Sequence, residues 1–362
     1  MVRITLTRPS NLAAVADRWQ SLEAQADPSF FQTWAWVGCL AEERFPDPLL
    51  LAAEEDGVSV ALALFNRRRR WLSRPTLYLG ESGDGDLDSM FIEHNGPILR
   101  RGREALLPDL LAVALRAPGG MAWRGGCRLV LNGVGDAVLL AVAAAGGAVQ
   151  RLRTQSAPLV DLAALRRAGR PFLESLSANT RYQLRRSARC YGMAGPVTVR
   201  RADSVAEAWE MLDRLAVLHQ ASWVRRGRQG AFARPAFRRF HRALLARAMP
   251  RGEADLLCIA AGSRVIGYLY NFRFRNRVLA YQGGFDYATA GRHEKPGLTC
   301  HHLAIEAAMA EGMDCYDFLA GADRYKTSLS CAMVPLHWFV AIPRWMAGRR
   351  GAINSMSGDI DA

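Results

Sequence analysis

The chain has 362 residues, 50% hydrophobic and 22% charged, with a mean hydropathy of −0.04. It can bury sizeable cores, which excludes a disordered or fibrous protein, and its length predicts two domains. The net charge of +13 belongs to the second half: 17 basic against 18 acidic residues over 1–165, 30 against 16 over 166–362, and 18 arginines with 5 acids in 166–250 alone. Such a basic half predicts a polyanionic ligand: nucleotide phosphates, a nucleic acid or an anionic membrane surface.

In chain order, 48–55, an Asp56-Gly57 turn, 58–67 and 75–80 read as a meander. A loop over 81–97, a helix near 103–116, a strand at 127–133 and a further helix and strand to about Thr154 follow. Residues 155–170 read as the link between halves. Over 176–192, Arg181, Arg185 and Arg189 recur every four residues on one helix face beside Arg186; such a stripe is usually a solvated face, and its like charges favour a phosphate-bearing counter-anion. Segments 255–261, 265–274 and 278–286 form a second meander. A polar loop at 287–297, a helix at 298–311 stopped by Gly312, and a buried strand at 315–321 follow. A strand, helix and strand joined this way make a right-handed crossover, which sets 315–321 parallel to 278–286. The repeated order predicts an α/β protein with mixed sheets, built of two similar domains meeting at a cleft: 1–165 on the acceptor side, 166–350 holding the donor, and 351–362 as a loose tail.

The start, MVRITLTRPS, has no apolar run behind its charges, and the stretch from Ala137 to Val149 is too short and glycine-broken to span a bilayer. No transmembrane segment is expected, although the basic half is compatible with peripheral membrane contact. Cys39, Cys127, Cys190, Cys258, Cys300, Cys315 and Cys331 are odd in number and form no Cys-x-x-Cys pair. This spacing predicts reduced thiols in a cytoplasm, no disulfide framework and no metal.

A polar loop entering a helix offers unpaired N–H groups and the positive end of the helix dipole, a ready phosphate site. Arg292, His293 and Lys295 surround this helix start, Gly297 lets the backbone come close, and Leu298 opens the predicted helix. The alternative is an ordinary basic loop before a surface helix. Gly283 and Gly284, inside a strand, mark a bulge or a close approach. An opened ladder there would free N–H groups for the oxyanion of acyl transfer. The first-half loop carries Glu81, Asp84, Asp86, Asp88 and Glu93 and no Lys or Arg, which suits an amine acceptor; solvated loop acids are the plainer reading.

The segments SFFQTWAWVGCL (29–40), LSANTRYQLRRSARCYG (176–192), LHQASWVRRGRQGAF (218–232), YQGGFDYATAGRHEKPGL (281–298) and YDFLAGADRYKTSLS (316–330) resemble the GNAT superfamily, and more narrowly the CelD-like acyltransferases related to the Fem peptidyltransferases. The resemblance implies tandem GNAT-like domains with acyl-CoA as co-substrate, gripped by the loop and helix at 291–305. The GNAT pyrophosphate loop appears only in degraded form, from Arg292 to Gly297. Tyr325-Lys326 is similar to the Phe-Lys pair of Fem enzymes, which take aminoacyl groups from tRNA.

No Gly-x-Ser-x-Gly elbow occurs and no cysteine sits in an activating motif, so the acceptor attacks the acyl carbon directly. Asp286 is a candidate base or a turn former; Asp317 faces the cleft or pairs with an arginine. Tyr325 is a candidate acid for the leaving thiolate, or packing. Lys326, one of two lysines among 45 arginines, is a candidate compact cation near the phosphates or the oxyanion. His219 and Trp223 wall an acceptor pocket or belong to the core. The substrate set is therefore Arg181, Arg185, His219, Trp223, Asp84 and Asp86. The reading is an acyltransferase taking a small or carrier-bound acyl donor to an amine or hydroxyl acceptor. An aminoacyl-tRNA-dependent transferase and a catalytically silent subunit for polysaccharide assembly are its alternatives.

Overall fold

The computed structural model describes residues 1–69, 74–88, 90–118, 125–321 and 323–347, so the expected tail at 351–362 lies outside the described residues. The chain divides into two compact units: Met1–Thr154 with Pro335–Ala362, and Gln155–Val334. The first half contributes β1 (Val2–Thr7), α1 (Leu12–Glu23), α2 (Trp34–Arg44), β2 (Pro48–Glu55), β3 (Val58–Arg68), β4 (Thr76–Leu79) and β5 (Ile98–Leu99). It continues through α3 (Leu107–Arg116), β6 (Arg128–Val134), α4 (Asp136–Ala144) and β7 (Gly147–Asp161). Then come α5 (Leu162–Arg167), α6 (Phe172–Ser175), α7 (Ala178–Gly192), β8 (Val197–Arg201), α8 (Val205–Arg225), α9 (Pro235–Ala248) and β9 (Ala254–Ala261). The rest is β10 (Arg264–Phe274), β11 (Arg277–Phe285), α10 (Pro296–Ala310), β12 (Cys315–Asp317), α11 (Arg324–Leu329), β13 (Ala332–Pro343) and α12 (Arg344–Ala347).

In the first unit β1, β2, β3 and β4 pair antiparallel in sequence order, and β4 pairs parallel with β6 across the α3 crossover. The second unit repeats this: β8, β9, β10 and β11 are antiparallel neighbours, and β11 pairs parallel with β12 across α10. The last strands are exchanged. Strand β13, from the end of the chain, pairs with β6 in the first unit, and the second part of β7 pairs with β12 in the second. The units therefore divide at Thr154/Gln155 and residues 335–347 return to the first, where the sequence reading drew one cut at 165. A sequential reading cannot see a strand whose partners lie some 200 residues upstream.

Local chemistry explains the elements. Asp56-Gly57 and Arg275-Asn276 adopt positive φ at both central hairpin positions (51° and 81°; 47° and 58°), the turn whose twist matches paired strands. Leu107, Leu110, Leu111, Ala114 and Leu115 give α3 one apolar face, buried with Leu51, Leu129, Leu131 and Phe339. Strands β9 and β10 are buried almost throughout because α10 packs on β10 and β11, as do α8 and α9 near by, and their pattern is a continuous apolar run. Ile305 and Ala304 of α10 share the second core with Ile259, Leu269 and Tyr316.

One boundary differs in a way that shapes the site. The strand expected over 315–321 ends at Asp317. Leu319 has φ +60°, a left-handed backbone that an ordinary side chain adopts only when its surroundings hold it. Its N–H donates to the Asp317 carboxylate at 2.8 Å. Helix α10 begins at Pro296, two residues before the expected start, because proline suits the first helical position.

Candidate donor-binding site

In the second unit the start of α10 packs against the body of α7, and the N-terminal turns of both helices line one cleft. Ser177 caps α7 by accepting the Thr180 N–H at 3.2 Å, and Arg181 donates to the Leu176 carbonyl just before it. Lys295 stands at the N-cap of α10 and Pro296 follows, so Gly297 and Leu298 present first-turn N–H groups that no preceding turn can satisfy. Ser187 ties the helices: its Oγ accepts the Lys295 N–H at 2.9 Å and bonds Thr299 Oγ1 at 2.8 Å. A cleft of about 640 Å³ opens here, walled by Ser177, Asn179 and Gln183 of α7, Gly297 and Leu298 of α10, and Tyr325 of α11. Lys295, Tyr287 and Arg324 also line it. A Cβ on Gly297 would lie 2.8 Å from the Tyr287 hydroxyl and 3.3 Å from the Phe285 ring, so only glycine lets this helix start approach the wall.

The electrostatics favour an anion. The imidazole of His293 is held below its ordinary pKa first by the Arg186 guanidinium, then by loss of water, then by Arg292 and Lys295. Four basic groups therefore crowd one place. The neighbouring carboxylate of Glu294 is taken by Arg264 at 2.7 Å and by the Gly291 N–H at 2.8 Å. Convergent cations and two positive helix ends stabilise a bound phosphate.

The sheet opens beside this cleft. β11 pairs with β10 as far as Phe285 but with β12 only from Arg277 to Leu279. Past Leu279, the β12-facing edge of β11 has no β12 partner, because β12 stops at Asp317. A bulge sits at Tyr281, where the register jumps from Gln282 to Ala280. The two glycines serve packing: a Cβ on Gly284 would meet the Leu215 carbonyl of α8 at 2.4 Å, and one on Gly283 the Phe285 ring at 2.6 Å.

The other sequence-predicted residues fall into place around this frame. Asp286 accepts the N–H groups of Ala288 and Thr289 at 3.0 and 3.1 Å. Burial raises its pKa, but these bonds and the Thr289 hydroxyl outweigh it, so the carboxyl stays below its ordinary value and the residue forms a turn. Asp317 is fully buried and pairs with Arg277 at 3.3 Å, the second of its two readings. The ammonium of Lys326 donates to the carbonyls of Ala320 at 2.7 Å and Leu319 at 3.4 Å. Tyr325 stacks on His301, ring centroids 5.0 Å apart, and burial raises its phenol pKa, leaving it protonated at neutral pH. His301 itself is driven down to about 3 by burial and by Lys326, so it is neutral. On α8, Trp223 donates its indole N–H to His219 Nε2 at 2.9 Å. Burial lowers His219 to about 4. Arg185 is exposed.

Ser177, Asn179, Gln183, Tyr287 and Arg324 escaped the sequence reading. A signal existed for the first three: Ser-Ala-Asn-Thr before an Arg-rich amphipathic run is an N-cap pattern.

In the first unit the matching gap between β4 and β6 is filled by its own loop. Asn95 donates its side-chain amide to the carbonyls of Leu79 at 3.0 Å and Asn132 at 3.1 Å, and its backbone N–H to Gly133 at 2.9 Å. The loop acids are not an open acidic surface. Asp84 pairs with Arg68 at 3.3 Å, and the Asp88 carboxylate accepts the N–H groups of Ser82, Gly83 and Asp84. Asp86 is exposed, and its N–H donates to Asp84 at 3.1 Å. The loop lacks Lys and Arg in its own sequence, but β3 supplies the cation.

Among the described residues no helix is long and apolar enough to cross a membrane. All seven cysteines are free.

Residues 178–327 match the family of the acetyltransferase (GNAT) domain. No curated protein sequence matches the chain. Among solved structures the chain is similar to FemX, with TM-score 0.61 and 11% identity over 95% of this chain and 98% of that one. It is also similar to the C-terminal domain of a protein described as a lysylphosphatidylglycerol synthetase from Agrobacterium fabrum: TM-score 0.56, 14% identity, 95% of this chain and 100% of that one. L-PGS from Bacillus licheniformis follows at TM-score 0.53 and 11% identity, with 93% of each chain covered. At such identities these likenesses show a shared fold. The family match makes residues 178–327 a GNAT acetyltransferase domain, and with it an acyltransferase. Over both units the fold is similar to that of FemX.

Proposed function

We propose that the second unit moves an acyl group from a phosphate-bearing activated donor, an acyl-CoA-type thioester, to an amine or hydroxyl that attacks the acyl carbon directly. The observation that carries this reading is that the starts of α7 and α10 line one cleft together with the Lys295 and Arg324 cations, with Arg186 and Arg292 close by around His293, beside a strand edge left open past Leu279. Donor phosphates would take the N–H groups of Gly297 and Leu298 together with Lys295. The acyl carbonyl would lie along the free edge of β11, whose N–H groups can hold the developing oxyanion. Tyr325, whose side chain lines the cleft, would give its proton to the departing thiolate. Asp286, Asp317 and Lys326 would keep the frame in shape. A cytoplasmic location is part of this reading, supported by the seven free thiols.

A second reading, an aminoacyl-tRNA donor, is favoured by the exposed Arg185 and Arg189 on α7. Isothermal titration with acetyl-CoA, a longer acyl-CoA and total tRNA separates the two, and binding of none of them leaves the silent-subunit alternative. Gly297→Asp puts bulk and negative charge at the helix start, and acyl-CoA binding is expected to vanish. Undiminished binding in that variant would move the donor elsewhere.

A further inference from the structure

Three polar side chains of the first unit, drawn from β7, α4 and β13, form a chain that the donor cleft does not use. His337, 6% exposed, bonds Asp136 Oδ1 through Nε2 at 2.7 Å and Thr154 Oγ1 through Nδ1 at 2.9 Å. A carboxylate only accepts, so Nε2 carries a hydrogen toward Asp136. In the neutral ring that leaves Nδ1 as the acceptor and the Thr154 hydroxyl as the donor, with its proton aimed at a base that a carboxylate orients. Thr154 is exposed, whereas the base behind it is buried. Asp136 stands in the first turn of α4, and a Cβ on its neighbour Gly135 would meet nothing within 4 Å.

We infer that Thr154 is an activated hydroxyl that accepts an acyl group from activated esters, an acylation site outside the second unit. A hydroxyl, a base within hydrogen-bond reach and a group orienting that base form the arrangement that lets a weak nucleophile attack. Thr154 Oγ bonds to the acyl carbon while its proton passes to His337 Nδ1. The alkoxide or aryloxide leaves and takes that proton, and Thr154 carries the ester. Water, deprotonated by the same imidazole, attacks the ester to return the hydroxyl and release a carboxylic acid.

The test uses the full chain with p-nitrophenyl acetate and, separately, a fluorophosphonate, with peptide mass spectrometry to locate the adduct. Thr154 is expected to be modified by both probes. Thr154→Val should remove that adduct, and His337→Gln should slow its formation on the order of 100-fold. Since His337 is buried and its loss could disturb folding, Asp136→Asn, at a side chain 62% exposed, gives an independent check: it too should slow labelling about tenfold or more, through loss of the fixed tautomer. Absence of an adduct on Thr154 in a folded wild-type chain overturns the inference, as does labelling at an unchanged rate in Asp136→Asn.

Discussion

Ser187 and Thr299 share a buried hydrogen bond of 2.8 Å, and Ser187 Oγ also takes the Lys295 N–H at 2.9 Å. One hydroxyl in the body of α7 therefore sets the position of the first turn of α10, where the donor phosphates would sit. Ser187→Ala leaves a buried hydroxyl and an N-terminal amide without their partner, at a cost of about 1–3 kcal/mol. Chemical denaturation should show that loss, and titration should show weaker donor binding. A variant with unchanged stability and affinity would mean that the start of α10 is held by packing alone.

Much of this frame is legible in the sequence. Strands β9 to β11 and helix α10 were readable because apolar runs of strand length are broken by Gly262 and by Arg275-Asn276, and because Pro296 and Gly312 bracket a helix. The halt of β12 was not, since it depends on a left-handed Leu319 held by a side-chain bond from Asp317. The roles of Asp84 and Asp317 turned on Arg68 and Arg277, 16 and 40 residues away. Spacing within a segment carries no information about such partners. The exchange of β7 and β13 and the meeting of Thr154 with His337 are likewise long-range.

The loop plug in the first unit predicts one donor site per chain. Asn95 spans the gap between β4 and β6 with bonds to Leu79 and Asn132, so the place matching the donor edge of β11 is already filled by protein. Titration with the donor should give a stoichiometry near one. Asn95→Ala should destabilise the chain by about 1–3 kcal/mol by orphaning buried carbonyls. A stoichiometry of two would mean that the first-unit gap admits donor as well.

Lys326 lies against the left-handed turn. Its ammonium reaches the Ala320 and Leu319 carbonyls, and a Cβ on Gly321 would lie 3.0 Å from Nζ, so the space around it is narrow. A guanidinium is wider than an ammonium and holds its donors in a rigid fork. Lys326→Met should therefore lose about 1–3 kcal/mol of stability through unmet carbonyls, and Lys326→Arg should lose part of it. Thermal unfolding of both variants checks this. Wild-type stability in Lys326→Arg would show that the turn needs a cation of no particular size.

Glu81 makes the stability of the first unit depend on pH. Burial first, then the Asp88 carboxylate, raise its pKa from 4.5 to about 8, while the bond from the Asn132 amide offsets part of the rise. Asp88 is shifted the same way, chiefly by burial. Between those two values the folded chain keeps a proton that the unfolded chain has lost. The slope of unfolding free energy with pH is then negative: the contribution is fully present below about 4.5, falls as pH rises, and is gone above about 8. Glu81→Gln keeps an oxygen for Asn132 and removes the titration, so its denaturation midpoint should fall less steeply across that window than the wild type's. Unfolding curves at several pH values from 5 to 9 compare the two directly. Equal slopes would place the proton on another group and leave Glu81 ionised in the folded chain.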